Sequence, residues 1–363
     1  MKPYIDMAGF KKRIVYFDLL KGIAIFLVVM GHVLTMCIRG VDAAFLFKFI
    51  GQVHMPVFFF ISGYMTYKCT EQGGWARPKL GKRFLQLIVP FVVMSALWVW
   101  YFPHSHLESP LHDNLPDLYR SYWKDGYWFT LCLMQLCIVY WPVSVVMSRI
   151  KHLWAQVLVV AIVYGGLAAL SMAFSDEEAN LDLAGVGLLA RFFPVFMMGA
   201  LAHCHKTGFD RLWHSEWALL TAIVVGALSF YAVVYPWDLP WLPVYAEFIT
   251  IPVMHACLMV VALAMIEPWS NREYGEECRP SMIARFFNLL GSESLGIYLC
   301  HYFFLFPLTM LRQPVTDMGL ATLPLIVISA AVALCIIGVT LLAMRFIKCS
   351  RVLSFLMLGK PLK

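Results

Sequence analysis

The strongest constraint on this chain is a succession of apolar segments, each long enough to cross a lipid bilayer as a helix. A spanning helix needs roughly 20 apolar residues, because each helical residue adds about 1.5 Å and the hydrocarbon core is about 30 Å thick. About ten segments qualify: 19–38, 45–66, 84–101, 128–147, 154–174, 183–203, 216–234, 244–266, 289–310 and 323–346. The sequence therefore predicts an all-α, polytopic membrane protein with about ten transmembrane helices.

The distribution of Lys and Arg predicts the orientation of these helices. Basic residues concentrate in loops on the cytoplasmic side of a membrane. With a cytoplasmic N-terminus, 21 of the 28 basic residues fall in the inner segments and only five in the outer loops. This asymmetry requires an even number of spans, so both termini are expected in the cytoplasm. The loops are short and contain no Ser- or Gly-rich linker, which indicates a single integral-membrane domain over residues 1–363.

The cysteines and the net charge exclude several classes of protein. The ten cysteines form no C-x-x-C pair and no Cys/His cluster, so we expect no metal site. The formal charge of +6 follows the cytoplasmic loops rather than a nucleic-acid patch, so we expect membrane lipids and no nucleic acid as partners. A homo-oligomer is compatible with the sequence.

Polar residues within the first apolar segment are the first candidates for a functional site. Asp18 and Lys21 open the segment, and His32 follows eleven residues after Lys21. A helix places His32 roughly 16 Å from Lys21, about half the thickness of the hydrocarbon core. An ionisable group at that depth is a functional candidate by default. The alternative is a histidine that only hydrogen-bonds a neighbouring helix.

The second segment brings another histidine into the membrane from the opposite side. His54 lies within about two turns of the outer end of the predicted helix, so it approaches the depth of His32. Pro56 favours a kink or an unwound turn, which lipid tolerates only where protein or a cavity covers it. Ser62 and Gly63 allow another helix to approach closely. Two histidines near mid-membrane are harder to explain by packing alone.

A set of motifs in fixed order connects these helices with the rest of the chain. They read Phe17-Asp18-Leu19-Leu20-Lys21-Gly22-Ile23-Ala24 with His32, Phe58-Phe59-Phe60-Ile61-Ser62-Gly63-Tyr64, Arg83 with Pro90, Tyr127-Trp128-Phe129, and Leu290-Gly291-Ser292 with Leu295-Gly296-Ile297-Tyr298-Leu299-Cys300-His301. This ordered set resembles acyltransferase family 3, a family of integral membrane proteins. The resemblance covers almost the whole chain. The chain departs from the family pattern at Lys21, where the family most often has Arg. Lysine keeps the positive charge but lacks the planar guanidinium fork of arginine.

The resemblance implies transfer of an acyl group, usually acetyl, from cytoplasmic acyl-CoA to a hydroxyl of a glycan or lipid-linked sugar. Acyl-CoA would be a co-substrate, and no permanently bound cofactor is implied. His32 would act as general base or transient acyl carrier, and burial favours the neutral, basic imidazole that either role needs. Asp18 and Lys21 would form an ion pair that orients the first helix, or Lys21 would meet a CoA phosphate.

Six residues are candidates for substrate binding, and several of them have a structural alternative. Arg83 lies at the inner face, where it would attract phosphate or only enforce topology. Arg191 is a costly guanidinium within the sixth segment and should hold an anion or a carbonyl. Tyr298 and His301 share one helical turn and would complete the cavity or form structural hydrogen bonds. Ser62 belongs to the family pattern of the second helix, and His54 is a candidate because of its depth in that helix.

The outer loop at 102–127 contains His104, His106 and His112, and the spacing of His112 to Asp117 matches that of some soluble and peripheral acyltransferases. We discount this match, because the thioester donor would be on the other side of the membrane. The three histidines would bind a metal or, more simply, be solvated. Recognition of the acceptor is expected to involve this loop.

Two other functions remain compatible with the sequence. A secondary transporter or exporter of a glycan or polar solute also uses intramembrane His and Arg and a Pro-broken helix. Transporters commonly repeat such segments in two halves, and the sequence contains no second copy of the His32 or His54 pattern. A sensor or assembly protein on the same scaffold is the third reading. We expect a multi-pass protein of the inner (plasma) membrane in each case.

Overall fold

The computed structural model describes residues 14–38, 44–70, 74–101, 127–176, 181–235, 247–274, 279–311 and 322–360. The helices are α1 Val15–His32, α2 Phe45–Thr66, α3 Leu80–Tyr101, α4 Trp128–Met147, α5 Leu153–Phe174, α6 Val186–Cys204, α7 Lys206–Trp213, α8 Glu216–Val234, α9 Glu247–Glu273, α10 Met282–Ser292, α11 Ser294–Cys300, α12 Thr322–Cys349 and α13 Arg351–Leu358. A two-residue antiparallel pair, Ser175–Asp176 with Leu181–Asp182, follows α5. The outer loop at 102–126, with its three histidines and Asp117, lies outside the described residues.

The predicted all-α, polytopic membrane architecture is confirmed. Among the described residues, nine helices are long and apolar enough to cross a membrane, and their bounds follow nine of the ten predicted segments closely. The helix α2 continues through Pro56 without an unwound turn. The helix α1 passes directly after His32 into a π-helical segment, Val33–Ile38, a rare geometry that is frequent at functional sites.

The ninth predicted segment differs from the prediction because it is broken. It is divided into α10, α11 and a 3-10 turn at His301–Phe304. Its contacts nevertheless reach both ends of the first helix: Gly291 packs against the backbone of Asp18, and the Leu308 N–H donates to the Cys37 carbonyl at 2.8 Å. The chain from Gly291 to Leu308 therefore runs along the length of α1 and its π-helical extension, a course consistent with the predicted tenth crossing.

Glycines set the closest helix contacts around α1 and α2. A Cβ on Gly22 would lie 1.9 Å from the Phe287 carbonyl oxygen, and one on Gly291 would lie 1.8 Å from that of Asp18. Similarly, a Cβ on Gly63 would lie 1.8 Å from the Phe196 carbonyl oxygen. No larger residue fits at these distances. The helices α1 and α10, and α2 and α6, are therefore in backbone contact, as expected for the Ser62-Gly63 pair.

The helices form an inner group and a periphery. In the most apolar stretches of α1 and α6, 61% and 67% of the residues are buried, whereas only 11% and 17% are buried in α5 and α8. A helix that is apolar on all sides and largely uncovered by protein is expected to face lipid. The polar side chains of interest lie on the inner group, chiefly on α1, α2, α6 and the broken segment.

Candidate functional site

A cavity of about 280 Å³ opens among α1, α2, α3, α4 and α11. Its wall is mainly apolar, and its polar lining residues are Lys21, Ser62, Arg83, Ser294 and Tyr298. From Lys21, at the inner end of α1, the cavity extends along that helix past Ile25 to Val28, which lies one turn before His32. The orientation predicted from the basic residues makes this the cytoplasmic side of the site.

Two cations lie at the inner end of the cavity. The Lys21 ammonium forms an ion pair with Asp18 at 2.7 Å, and Asp18 is 4% exposed. Arg83 is half-buried at the start of α3, and no carboxylate of the described ranges forms an ion pair with it. The mouth of the cavity therefore combines one compensated and one uncompensated positive charge. Such a mouth favours an anionic ligand.

Above the cavity, a chain of hydrogen bonds fixes the orientation of the His32 imidazole. Nδ1 of His301 lies 2.9 Å from the carbonyl oxygens of Ile297 and Tyr298, so this nitrogen carries the proton. Nε2 of neutral His301 is then an acceptor, and His32 Nδ1–H donates to it at 3.1 Å. His32 Nε2 consequently has a free lone pair, and the hydroxyl of Tyr302 donates to it at 2.8 Å.

This pattern makes Nε2 of His32 the basic atom of the site. His301 is fully buried and holds the tautomer, while a proton arriving at Nε2 would give an imidazolium whose Nδ1–H remains bonded to His301. An orienting acceptor behind the imidazole is the arrangement that general bases use in many hydrolases and transferases. A hydroxyl that takes the place of Tyr302 would be positioned for deprotonation.

The first residues of α4 hold the histidine-bearing segment in place. The hydroxyl of Tyr127 donates to the Leu299 carbonyl at 3.0 Å, and the Phe129 N–H donates to the Tyr298 hydroxyl at 3.2 Å. The ring of Tyr127 also packs edge-on against Tyr302, with centroids 5.1 Å apart. The Tyr-Trp-Phe motif of the sequence thus supports the backbone that carries His301.

A second polar cluster lies on the outer half of α2, α6 and α9. Arg191 donates to the side-chain oxygen of Gln52 at 2.8 Å. His255 is 1% exposed and stacks in parallel on Phe192, with centroids 5.7 Å apart. Its Nδ1 has no hydrogen-bond partner among the described atoms. His54, two residues beyond Gln52 and therefore on another face of α2, is bonded to the Ile50 carbonyl one turn earlier and is close enough to His32 to interact electrostatically.

The structure sorts the residues predicted from sequence into three places. Asp18, Lys21, Ser62, Arg83 and Tyr298 lie at or beside the cavity, on the side that the basic residues predict to be cytoplasmic. The catalytic candidate His32 meets His301 directly, whereas His54 does not contact it by a hydrogen bond. Arg191 lies with Gln52 on the outer side and does not line the cavity. Within the described ranges, no group of three or more His, Cys, Asp or Glu is arranged to hold a metal ion.

Sequence reasoning missed Tyr302 and Gln52. Tyr302 follows the recognised His301, but a tyrosine near the outer membrane face is ordinarily an interfacial residue. Gln52 precedes His54 by two residues and gave no motif of its own. The only available signal for Gln52 was that a guanidinium within a membrane needs a partner.

Comparisons with known proteins identify the family of the chain. The model of acyltransferase family 3, described as an acyltransferase domain, matches residues 14–344. The chain is 27% identical to nodulation protein NolL of Mesorhizobium japonicum (strain LMG 29417 / CECT 9101 / MAFF 303099) over 232 residues, which cover 61% of this chain and 56% of the relative. It is 36% identical to nodulation protein NolL of Sinorhizobium fredii (strain NBRC 101917 / NGR234) over 125 residues, which cover 32% and 34% of the two chains. No solved structure matches the chain significantly.

The match to these curated relatives spans about half the length of one and a third of the other. The family model, in contrast, covers the first helix with His32, the cavity, the broken segment with His301 and most of α12. The chain therefore belongs to acyltransferase family 3 and is a multi-pass membrane protein.

Proposed function

We propose that the protein is a membrane O-acyltransferase that moves an acetyl group from cytoplasmic acetyl-CoA to a hydroxyl of a cell-envelope or exported glycan. The observation that carries the proposal is the lone pair on Nε2 of His32, which is set in place by His301 and lies one turn beyond a cavity with cations at its inner end. A thioester donor in that cavity would bring its carbonyl towards His32. The proposed location is the inner (plasma) membrane.

In the proposed reaction His32 acts as general base and then as general acid. The acceptor hydroxyl displaces the Tyr302 hydroxyl and gives its proton to Nε2 as its oxygen attacks the thioester carbonyl. The tetrahedral intermediate collapses with cleavage of the carbon–sulfur bond, and the His32 imidazolium returns the proton to the leaving CoA thiolate. The displaced Tyr302 O–H is then a donor for the developing oxyanion.

The two polar clusters suggest how donor and acceptor are kept apart. The cavity with Lys21 and Arg83 would take the acyl-CoA from the cytoplasm. The cluster of Arg191, Gln52 and His255 would bind the glycan or lipid-linked sugar from the other side. Transfer would then occur near the middle of the membrane, and the acetyl group alone would pass from one side to the other.

The test uses purified protein, radiolabelled acetyl-CoA and a cell-envelope extract as the source of acceptor, and it follows CoA release together with the label transferred to the extract. The His32→Ala variant is expected to release no CoA, whereas His152→Ala, in the exposed turn between α4 and α5, should match the wild type. Donor-dependent release that persists in His32→Ala would remove His32 from the mechanism. Absence of acetyl-CoA binding in the wild type would favour a transporter instead.

A further inference from the structure

The C-terminal helix α13 returns the chain to the cytoplasmic end of α3. Gly359 follows α13 with a φ of 64°, and a Cβ there would lie 2.2 Å from the Gln86 carbonyl oxygen. The Lys360 N–H donates to the Ser354 carbonyl at 3.1 Å, which fixes the next residue as well. Gln86 is one helical turn beyond Arg83 at the cavity mouth. The backbone of Lys360 is therefore held beside the cavity rather than trailing away from it.

Two lysines share one carboxylate at this place. Glu293 occupies the break between α10 and α11, and its Oε1 lies 2.7 Å from Nζ of Lys348. Its Oε2 lies 3.8 Å from Nζ of Lys360, a looser contact. The two residues that follow Glu293, Ser294 and Leu295, line the cavity. The ammonium groups consequently flank the mouth on the side of α11.

This cluster carries an excess positive charge. Partial burial lowers the pKa of the Lys360 ammonium, Glu293 opposes the shift, and the neighbouring Lys348 ammonium adds to it. Two ammonium groups and one carboxylate leave one positive charge uncompensated, and the loosely held Lys360 is available to a second anion. An added phosphate would relieve the repulsion between the two lysines.

We propose that Lys348 and Lys360 bind the 3′-phosphate of the acyl-CoA nucleotide. This inference rests on the proposed function, and it assigns a recognition site at the end of the donor that is farthest from the thioester. The pantetheine arm would occupy the cavity, the diphosphate would meet Lys21 and Arg83 at its inner end, and the terminal phosphate would reach the lysines outside it. Lysine ammonium groups bind phosphate as point charges without a fixed fork geometry.

Glu293 becomes the competitor of the bound phosphate in this arrangement. Without donor it holds both lysines, and with donor Lys360 exchanges the carboxylate for the phosphate. Removal of the carboxylate should therefore strengthen donor binding. A purely structural ion pair would give the opposite result, because its loss would only weaken the packing of α13.

The experiment measures the dissociation constants of acetyl-CoA and 3′-dephospho-acetyl-CoA for the purified full-length chain. For Lys360→Gln we expect about tenfold weaker binding of acetyl-CoA, since one charge-assisted contact is lost, and unchanged binding of the dephospho analogue. Glu293→Gln should bind acetyl-CoA more tightly, again without effect on the analogue. Lys360→Arg should retain the preference for acetyl-CoA. The matched control is Lys151→Gln, an exposed lysine in the turn before α5.

The outcomes separate this inference from the proposed function. Unchanged acetyl-CoA affinity in Lys360→Gln, or an equal loss for both ligands, would overturn the assignment of the 3′-phosphate while wild-type donor binding stands. No binding of either ligand by the wild type would overturn the proposed function itself. Melting temperatures of the variants, measured without ligand, show whether the affinities refer to folded protein.

Discussion

The contact between His301 and His32 gives the sharpest test of the proposed chemistry. His301 donates its own Nδ1–H to the carbonyls of Ile297 and Tyr298 and accepts from His32 Nδ1–H at 3.1 Å. Replacement of His301 by Leu removes this acceptor and leaves the His32 donor only the backbone of Val28, one turn earlier in α1. His32 would then no longer be held with its lone pair towards Tyr302. We expect kcat to fall while the donor still binds.

The size of the effect follows from the hydrogen bond that is lost. One such hydrogen bond contributes about 0.5–1.5 kcal/mol net, and about 1.4 kcal/mol corresponds to a factor of ten in rate. The His301→Leu variant should therefore lose about 2- to 12-fold in kcat. The loss is smaller than that of His32→Ala, because the base itself remains. His301→Gln provides a side-chain oxygen as acceptor and should recover part of the rate.

The assay follows CoA release from acetyl-CoA by the purified variants in the presence of the same acceptor extract. The kcat and the KM for acetyl-CoA are determined separately, and melting temperatures are recorded. His152→Leu serves as the matched control, since His152 is exposed and far from the site in sequence. A wild-type kcat in His301→Leu would refute the orienting role. If His301→Leu and His301→Gln showed the same rise in KM and the same fall in melting temperature, His301 would only support the fold.

Three further predictions concern other parts of the site. At saturating donor, the Lys21→Arg variant should keep its turnover and the Lys21→Ala variant should lose it, because only arginine keeps the ion pair with Asp18 at the cavity mouth. Equal turnover of the two variants would exclude this role. Gly291→Ala should lower the melting temperature, since its Cβ would lie 1.8 Å from the Asp18 carbonyl oxygen and such overpacking costs about 1–3 kcal/mol. Gly165→Ala, whose Cβ would have no atom within 4 Å, should not lower the melting temperature. Arg191→Met should leave the affinity for acetyl-CoA unchanged and lower the amount of acetyl ester on the envelope glycans of expressing cells by about tenfold. A weaker affinity for acetyl-CoA would instead assign Arg191 to donor binding.

Much of the fold could be predicted because bilayer thickness leaves few choices to an apolar run of about 20 residues. The bounds of α2 and α4 coincide with the predicted segments 45–66 and 128–147. The break at Glu293 was not predicted, since the run 289–310 contains enough apolar residues to continue as one helix. The break depends on tertiary contacts: the ion pair with Lys348 and the packing of Gly291 on α1. Neither partner is near in sequence.

The sequence allowed us to name candidate residues of the site but not to predict which of them are in contact. His32 and His301 were both named from motifs, yet 269 positions separate them, and only the fold brings their rings together. His54 was expected to approach the depth of His32, but the hydrogen-bond partner of His32 is His301, because helical position predicts depth and not azimuth. The distinction between an inner cavity with Arg83 and an outer cluster with Arg191 also required the helix packing.

The packed layer around His32 has a consequence for the membrane as an electrical insulator. His301, Tyr302, Tyr127 and Trp98 are each no more than 1% exposed, and the Tyr302 ring lies within 5.6 Å of the other three ring centroids. In the proposed function the site admits substrates from both sides of the membrane and contains a chain of proton-binding groups. Without such a packed layer, this chain would let protons leak across the membrane. In a membrane that maintains a proton gradient, these aromatic residues would prevent proton leakage at the position where His32 is proposed to accept and donate its proton.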